Sequence, residues 1–153
     1  MHEKILVSGC FLGLHVRYDG GHQLLVNRFF KQWQAQGRIV SFCPEVAGGL
    51  PIPRKPAEIN QKNNRVTTVD GEDVTDAFLS GAQQALGLCF QHNIRYALLK
   101  ESSPSCGSHT VYDGSFTQRK IAGQGVTAQL LINNGIKVFS ENTIMSLADV
   151  LNA

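Results

Sequence analysis

The sequence has no long hydrophobic run and no strong excess of charge of either sign. No apolar stretch approaches the roughly 20 residues of a membrane-spanning helix, and the opening MHEKILVSGC lacks the apolar core and cleavage site of a signal peptide. The 14 basic and 12 acidic side chains give a net charge of +2 at pH 7, too small for a strong attraction to nucleic acid. We therefore expect a cytoplasmic protein without a membrane partner.

Two kinds of binding motif are also missing. The four cysteines include no Cys-x-x-Cys pair, which structural zinc sites usually contain. Gly123 and Gly125 precede a segment of helical periodicity, but the complete glycine fingerprint of dinucleotide-binding folds is absent. Since cytoplasmic thiols are kept reduced, we interpret the cysteines as ligands, nucleophiles or core residues before disulfides.

What is present is typical of one compact enzyme domain. The chain has 153 residues, of which 42% are hydrophobic and 17% charged, enough to build a substantial core. Neither internal repeats nor low-complexity segments occur. We expect a single domain that covers residues 1–153.

Short β-forming runs alternate with segments of helical periodicity. Strands are expected at KILVS, RIVSF, YALLK and IKVF, and helices at about residues 23–36, 76–92, within 123–135 and at 142–151. Thr75 is expected to cap the second helix, and Cys89 to lie in the core on its apolar face. This alternation predicts a three-layer, Rossmann-like α/β fold with a mainly parallel sheet.

Two connecting segments differ from this pattern. Residues 43–59 contain four of the five prolines, so we expect an irregular loop of functional importance. Residues 65–69 alternate weakly and meet Asp70 and Gly71, which indicates a small hairpin.

Three cysteines each follow a predicted strand and lie in a turn rich in Gly, Pro or Ser. They are Cys10 in SGCFLG, Cys43 in FCPEVAGG and Cys106 in SSPSCGS. Because the carboxyl ends of parallel strands converge on one crevice, we expect these thiols to share a site. Their spacing leaves three interpretations open: a metal or cluster centre one protein ligand short, a single reactive thiol, or coincidence.

Several longer strings resemble the DUF523 family in order and spacing across nearly the whole chain. They are SGCFLG, VRYDGGH, FCPEVAGGLPIPRKPAEI, DGEDVTDAFLSGA, LLKESSPSCGS, VYDGSF and GQGVTAQLLINNGI. The resemblance implies the short, single-domain form of a bacterial thiouracil desulfidase. Such an enzyme converts thiouracil to uracil and hydrogen sulfide by hydrolytic, non-redox cleavage of the C–S bond.

The resemblance also implies the cofactor and the catalytic residues. A [4Fe-4S] cluster would be held by Cys10, Cys43 and Cys106, with one open iron that binds the substrate sulfur. Such a cluster is oxygen-labile, so its loss is expected in protein handled in air. Glu45 and Ser103 would be the catalytic pair, with Glu45 as general base; covalent attack by Ser103 and attack by an activated water both stay open.

Substrate contacts are expected from two of the loops. Arg17, Asp19 and His22 cluster in the first loop, and Ser105 lies beside the third cysteine. We expect Arg17, Asp19 and Ser105 to bind the thiolated pyrimidine, with Asp19 accepting a ring N–H. Asp-Gly-Gly is also ordinary turn chemistry, so a purely structural Asp19 is an alternative.

The remaining polar residues of these loops each have two interpretations. Arg54 faces the cluster or forms an ion pair with Glu58. Lys100 and Glu101 border the site or are solvated. His109 is a hydrogen-bonded loop residue or a fourth iron ligand, and in the second case no iron would be open to substrate.

Other functions are compatible with the same residues. The cluster could serve electron transfer or sensing without catalysis, and a metal-free thiol hydrolase or transferase would use the cysteines directly. Thiouridine in a nucleoside or in tRNA is an alternative substrate, although the charge gives no strong sign of nucleic acid. A homodimer is a further possibility that the sequence leaves open.

Overall fold

The structure is a computed structural model that describes residues 3–13, 17–20 and 25–152. His22 and the first two residues of the expected helix 23–36 lie outside the described residues. Within them, no helix is both long and apolar enough to cross a membrane.

Eight strands and five helices follow one another along the described chain. The strands are β1 (Ile5–Ser8), β2 (Ile39–Phe42), β3 (Ala57–Ile59), β4 (Val66–Thr68), β5 (Tyr96–Leu98), β6 (Thr110–Tyr112), β7 (Lys120–Ala122) and β8 (Lys137–Phe139). The helices are α1 (Arg28–Ala35), α2 (Pro44–Ala47), α3 (Thr75–Gln91), α4 (Val126–Asn133) and α5 (Ile144–Asn152). A short 3-10 helix, Gly9–Leu12, directly follows β1.

The central sheet has four strands in the order β2-β1-β5-β8, and all three pairings are parallel. Ile5 at the start of β1 pairs with Ile39 on one side and Tyr96 on the other. The strands therefore end at one edge, and the prediction of a Rossmann-like, mainly parallel α/β fold is confirmed.

Two apolar clusters cover the two faces of this sheet. Because side chains alternate along a strand, Val7 packs with Trp33 of α1 and Leu147 of α5 on one face. Leu6 packs on the other face in a cluster that includes Leu131 of α4. Burying each such side chain contributes about 1.5–3 kcal/mol. The two helical layers thus hold the sheet, and with it the strand ends, in place.

The observed helix starts differ from the expected ones. Asn27 caps α1, because its side chain accepts the backbone N–H of Phe29 at 2.9 Å. Thr75 is the first residue of α3, with Val74 at the cap position, and the Thr75 hydroxyl oxygen instead accepts the backbone N–H of Val66 at 2.8 Å. The expected capping role of Thr75 is therefore wrong, since its side chain is used to tie β4 to the helix.

The long proline-rich segment is more ordered than expected. Residues 43–59 contain α2, whose first residue is Pro44, and end in β3, which pairs antiparallel with β4. Pro is well suited to the first position of a helix because its fixed φ is helical and its missing N–H has no intrahelical partner. β6 and β7 pair antiparallel in a second hairpin, which the sequence analysis does not predict.

Candidate active site

The three cysteines that follow strands lie around one cavity. Cys10 lies in the 3-10 helix after β1, Cys43 lies directly before α2, and Cys106 lies in the loop after β5. All three line a cavity of about 740 Å³. None forms a disulfide. Cys89 is instead buried in the core cluster with Leu131, as predicted.

The surroundings of these three thiols disfavour the ionised form when no cation is bound. The pKa of Cys10 is raised to about 11, chiefly by burial and then by the neighbouring Cys43, although Lys100 and Arg17 act in the opposite direction. The pKa of Cys106 is also raised, chiefly by burial and then by Glu45 and Cys43. The pKa of Cys43 is raised by burial as well, so all three thiols favour the protonated form unless a metal centre binds and ionises them.

The donor set of this cavity bears on the kind of metal centre that it could hold. Among the residues that the structure describes, no group of three or more His, Cys, Asp or Glu side chains is arranged to hold a single metal ion. In an iron–sulfur cluster each cysteine binds a different iron, so the ligands lie farther apart than around one ion. Three reduced thiols on the wall of one cavity are a donor set of the kind that holds such a cluster.

Glu45 extends into the same cavity from the first turn of α2. Its Oε2 accepts hydrogen bonds from Nε of Arg54 at 2.8 Å and from Nη2 at 2.6 Å. Both side chains are largely buried, at 14% exposure for Glu45 and 8% for Arg54. The predicted partner of Arg54, Glu58, instead accepts the backbone N–H groups of Gly114 and Phe116. Neither sequence-based interpretation of Arg54 anticipated this contact.

Ser103 faces the second oxygen of the Glu45 carboxylate. Its hydroxyl donates to Oε1 of Glu45 at 3.4 Å, and its Oγ accepts the backbone N–H groups of Ser105 and Cys106, each at 3.1 Å. Such a pair of a hydroxyl and a carboxylate can act as nucleophile and general base, and the contact in a ligand-free enzyme is often longer than about 3.2 Å. The two N–H donors favour negative charge as it develops on Oγ.

The loop that carries the third cysteine is organised by Glu101. Its Oε1 accepts four backbone N–H groups, those of Ser102, Ser108, His109 and Thr110, at 2.9–3.3 Å. Burial alone would raise the pKa of this carboxyl, but the hydrogen bonds from the loop lower it to about 2. Sequence reasoning considered Glu101 only as a border or solvated residue and missed this anchoring role.

Charged residues near Cys10 complete this side of the cavity. Lys100 lines the wall and pairs with Glu141 at 2.8 Å, and its Nζ also donates to the Glu101 carbonyl oxygen. Arg17 lines the wall too and lies 4.0 Å from Asp19. The Asp19 side chain is 47% exposed and is not among the residues that line the cavity.

Ser105 is not brought to the cavity, although we expected it to contact substrate. It is fully buried, and its hydroxyl is hydrogen-bonded to that of Thr127 at 2.8 Å. Its carbonyl oxygen accepts N–H groups at the start of α4. Ser105 therefore joins the cysteine loop to α4, and its neighbour Ser103 is the serine on the cavity wall.

His109 lies on the outer side of the loop. Its side chain is 63% exposed, and Nδ1 is within hydrogen-bond distance of Glu101 and Ser108. It does not line the cavity that the three cysteines share. This position matches the interpretation of His109 as a loop residue and not as a fourth iron ligand.

Three residues that line the cavity have unusual backbone conformations. Of the five described non-glycine residues with positive φ, three line the cavity: Ser102 at 68°, Phe116 at 60° and Gln118 at 63°. Such conformations cost on the order of 1–3 kcal/mol each and cluster at functional sites. No sequence signal singles out these residues, since the relevant property is their backbone angle.

Both the sequence and the fold of this chain are similar to those of known proteins. Residues 5–143 match the family described as 2-thiouracil desulfurase. The chain is 39% identical over 148 residues to the uncharacterized protein YbbK of Bacillus subtilis (strain 168), an alignment that covers 92% of this chain and 97% of YbbK. It is 51% identical to a solved structure named [4Fe-4S]-dependent thiouracil desulfidase TudS, with a TM-score of 0.94 and 98% of each chain covered. The chain therefore belongs to the 2-thiouracil desulfurase family.

Proposed function

We propose that this protein hydrolyses the C–S bond of a free thiolated pyrimidine, with thiouracil as substrate, uracil as product and hydrogen sulfide as the second product. The observation that carries this proposal is the contact between Ser103 and Glu45 on the wall that also holds three cysteines. Membership of the family and the name of the 51% identical structure support it.

The cofactor assignment is part of this proposal. Cys10, Cys43 and Cys106 would hold a [4Fe-4S] cluster as its three protein ligands. When bound, the cluster would supply a Lewis-acidic iron without a protein ligand, which could polarise the thiocarbonyl group and stabilise the departing sulfide.

The remaining chemistry belongs to residues of the chain. Glu45 accepts a proton, either from the Ser103 hydroxyl or from a water that this hydroxyl orients. General base assistance of this kind is typically worth about 10²–10⁴-fold in rate. The N–H groups of Ser105 and Cys106 stabilise Oγ of Ser103 as its proton is withdrawn.

The overall reaction balances without a redox partner. One water supplies the oxygen that replaces sulfur on the ring carbon, and its two protons leave with the sulfur as hydrogen sulfide. If Ser103 attacks the carbon, the water acts in a second step that releases Ser103, and the sum is the same. No electron acceptor or donor is consumed.

The test begins with anaerobic reconstitution with iron and sulfide. We expect four irons per chain, and hydrosulfide release that depends on added thiouracil. Ser103→Ala, with unchanged iron content, should lose this release. Unchanged release in Ser103→Ala would reject the assigned chemistry, and release by iron-free protein would favour a metal-free thiol enzyme.

The same preparation separates the alternative functions. A bound cluster with a reversible redox couple and no sulfide release would favour electron transfer or sensing. Release from thiouridine or thiolated tRNA, but not from thiouracil, would move the proposal from the free base to a larger substrate.

A further inference from the structure

Arg54 joins three parts of the cavity wall. It contacts Glu45 on α2, Pro51 in its own loop and Tyr18 in the first loop. We propose that Arg54 is a positioning residue that orients the Glu45 carboxylate toward Ser103. This inference rests on the proposed function, since it assumes that Glu45 is the general base.

The contacts of the carboxylate are divided between its two oxygens. Nε and Nη2 of Arg54 both donate to Oε2, at 2.8 and 2.6 Å. Oε1 accepts the hydroxyl of Ser103 at 3.4 Å. Because Oε2 is engaged by the guanidinium, the plane of the carboxylate is set and Oε1 points to the hydroxyl.

The guanidinium is itself held in place. Nη1 of Arg54 donates to the carbonyl oxygen of Pro51 at 3.2 Å, and its backbone N–H donates to the carbonyl oxygen of Tyr18 at 2.6 Å. Pro53 directly precedes Arg54 and Pro56 follows two residues later, and each proline restricts the backbone by fixing its own φ. Arg54 is therefore a preorganised donor, which is what a positioning role requires.

A carboxylate without such a partner would not keep one orientation. The last side-chain torsion of Glu joins sp³ and sp² atoms, so its energy profile is broad and the group rotates easily. A displacement of about 1 Å at a catalytic group costs on the order of 10²-fold in rate. Charge-assisted contacts to a planar guanidinium suppress this rotation, and the low exposure of the pair limits competition from water.

The chain offers a matched control at the other edge of the sheet. Arg95 immediately precedes β5, and its Nε and Nη2 both contact Oε1 of Glu3 at 2.6 Å. The contact has the same form as that of Arg54 with Glu45, but Arg95 is 67% exposed and is not among the cavity-lining residues. Arg95→Met thus removes an equivalent ion pair away from the site.

The experiment compares Arg54→Met, Arg54→Lys and Arg95→Met after anaerobic reconstitution. Iron and sulfide content and the visible absorbance of the cluster are measured before activity. We expect cluster content like that of the parent protein in all three variants. In Arg54→Met we expect kcat for sulfide release from thiouracil to fall about 10²-fold with little change in KM. Arg54→Lys should recover part of this loss, because an ammonium can still donate to Oε2, and Arg95→Met should behave like the parent.

Coupling to Glu45 distinguishes positioning from a general structural effect. If Arg54 acts through Glu45, adding Arg54→Met to Glu45→Gln should cause no further loss of kcat, whereas independent damage would multiply the two losses. Three results would each overturn the proposal. They are loss of the cluster from both Arg54 variants, losses of kcat that multiply in the variant that combines Arg54→Met with Glu45→Gln, and a parent-like kcat in Arg54→Met. If Arg54→Met has a parent-like kcat while Glu45→Gln and Ser103→Ala are inactive, only the positioning role of Arg54 is rejected. If Glu45→Gln and Ser103→Ala are active too, the proposed function itself is rejected.

Discussion

The hydroxyl of Ser103 lies 3.4 Å from Oε1 of Glu45, although the two residues are 58 positions apart in the chain. Glu45 follows β2 and Ser103 follows β5, and these strands flank β1 on its two sides. Cys10 follows β1 itself. The parallel order of the sheet thus assembles the pair, with the cysteines beside it, from three strand ends.

Ser103 and Glu45 should behave as one unit in a double-mutant cycle. We expect Ser103→Ala and Glu45→Gln each to lower kcat/KM for thiouracil by about 10²–10⁴-fold, because each removes one half of a proton transfer. The double variant should be about as slow as the slower single variant, since either change already disables the pair. Initial rates of hydrosulfide release at equal iron content measure the cycle.

Ser80→Ala is the matched control for the serine substitution. The hydroxyl oxygen of Ser80 on α3 also takes part in a side-chain hydrogen bond, which it accepts from Nε2 of Gln84, and Ser80 does not line the cavity. Its loss should leave kcat/KM unchanged. Losses that multiply in the Ser103 and Glu45 double variant would mean that the two residues act independently.

The four cysteines should divide into three that bind iron and one that does not. Cys89 is 1% exposed in the core, where burial raises its pKa to about 11, so it is an unreactive thiol. We expect Cys89→Ala to keep the iron content while lowering the free energy of unfolding by about 1 kcal/mol through lost packing. Cys10→Ala, Cys43→Ala and Cys106→Ala should each bind less iron after reconstitution.

Iron per chain and urea unfolding of the same preparations separate these effects. A Cys89→Ala variant that loses iron while remaining as stable as the parent would contradict the division. So would full iron loading in any one of the other three variants.

The sequence predicts the cysteine arrangement because that arrangement depends mainly on topology. Short β-forming runs before Cys10, Cys43 and Cys106, alternating with helical segments, indicate parallel strands that end at one edge. This inference does not depend on which residues of neighbouring strands are paired. The convergence of the cysteines could therefore be predicted without any knowledge of side-chain contacts.

Contacts between loops could not be predicted in the same way. Arg54 reaches Glu45 instead of Glu58, and Ser105 turns to Thr127 while Ser103 faces the cavity. These choices depend on how irregular backbone segments pack, which has no periodic signature in the sequence. The four N–H groups that bind Glu101 are even harder to predict from the sequence, because only the folded loop brings them to one oxygen.

Glu101 should make part of the stability depend on pH. Its pKa in the folded chain is about 2, below the ordinary value of 4.5, chiefly because hydrogen bonds from the loop outweigh the effect of burial. A carboxyl with a lowered folded pKa stabilises the fold above its unfolded pKa, and this contribution is lost as the pH falls from about 4.5 toward about 2. We expect Glu101→Gln to be less stable than the parent at pH 7, with a difference that shrinks over this interval.

Urea unfolding of iron-free parent and Glu101→Gln between pH 7 and pH 3 measures this difference. Iron-free protein is used because acid releases the sulfide of iron–sulfur clusters. Asp149→Asn, which removes the carboxylate of an exposed residue of α5, is unfolded in parallel as the control for loss of a charge. A Glu101→Gln difference that stays constant or widens toward low pH would be inconsistent with the lowered pKa.

Close packing of α2 on α3 should be required for the position of Glu45. At Gly81 of α3, an added Cβ would lie 1.9 Å from the carbonyl oxygen of Pro44 and 2.6 Å from its carbonyl carbon. Both contacts are with backbone, so α2 must move to make room. Overpacking of this kind typically costs about 1–3 kcal/mol. We therefore expect Gly81→Ala to lower the melting temperature and to lower kcat by displacing Glu45.

Gly87 provides the control on the same helix. A Cβ there would have nothing within 4 Å, so Gly87→Ala should stabilise the protein by about 0.5–1 kcal/mol through the higher helix propensity of alanine. Melting temperature, iron content and kcat for thiouracil are compared across the parent and both variants. The expected result is opposite shifts in melting temperature, with kcat lowered only in Gly81→Ala. A Gly81→Ala variant with parent-like kcat would show that the Ser103 and Glu45 pair tolerates movement of α2.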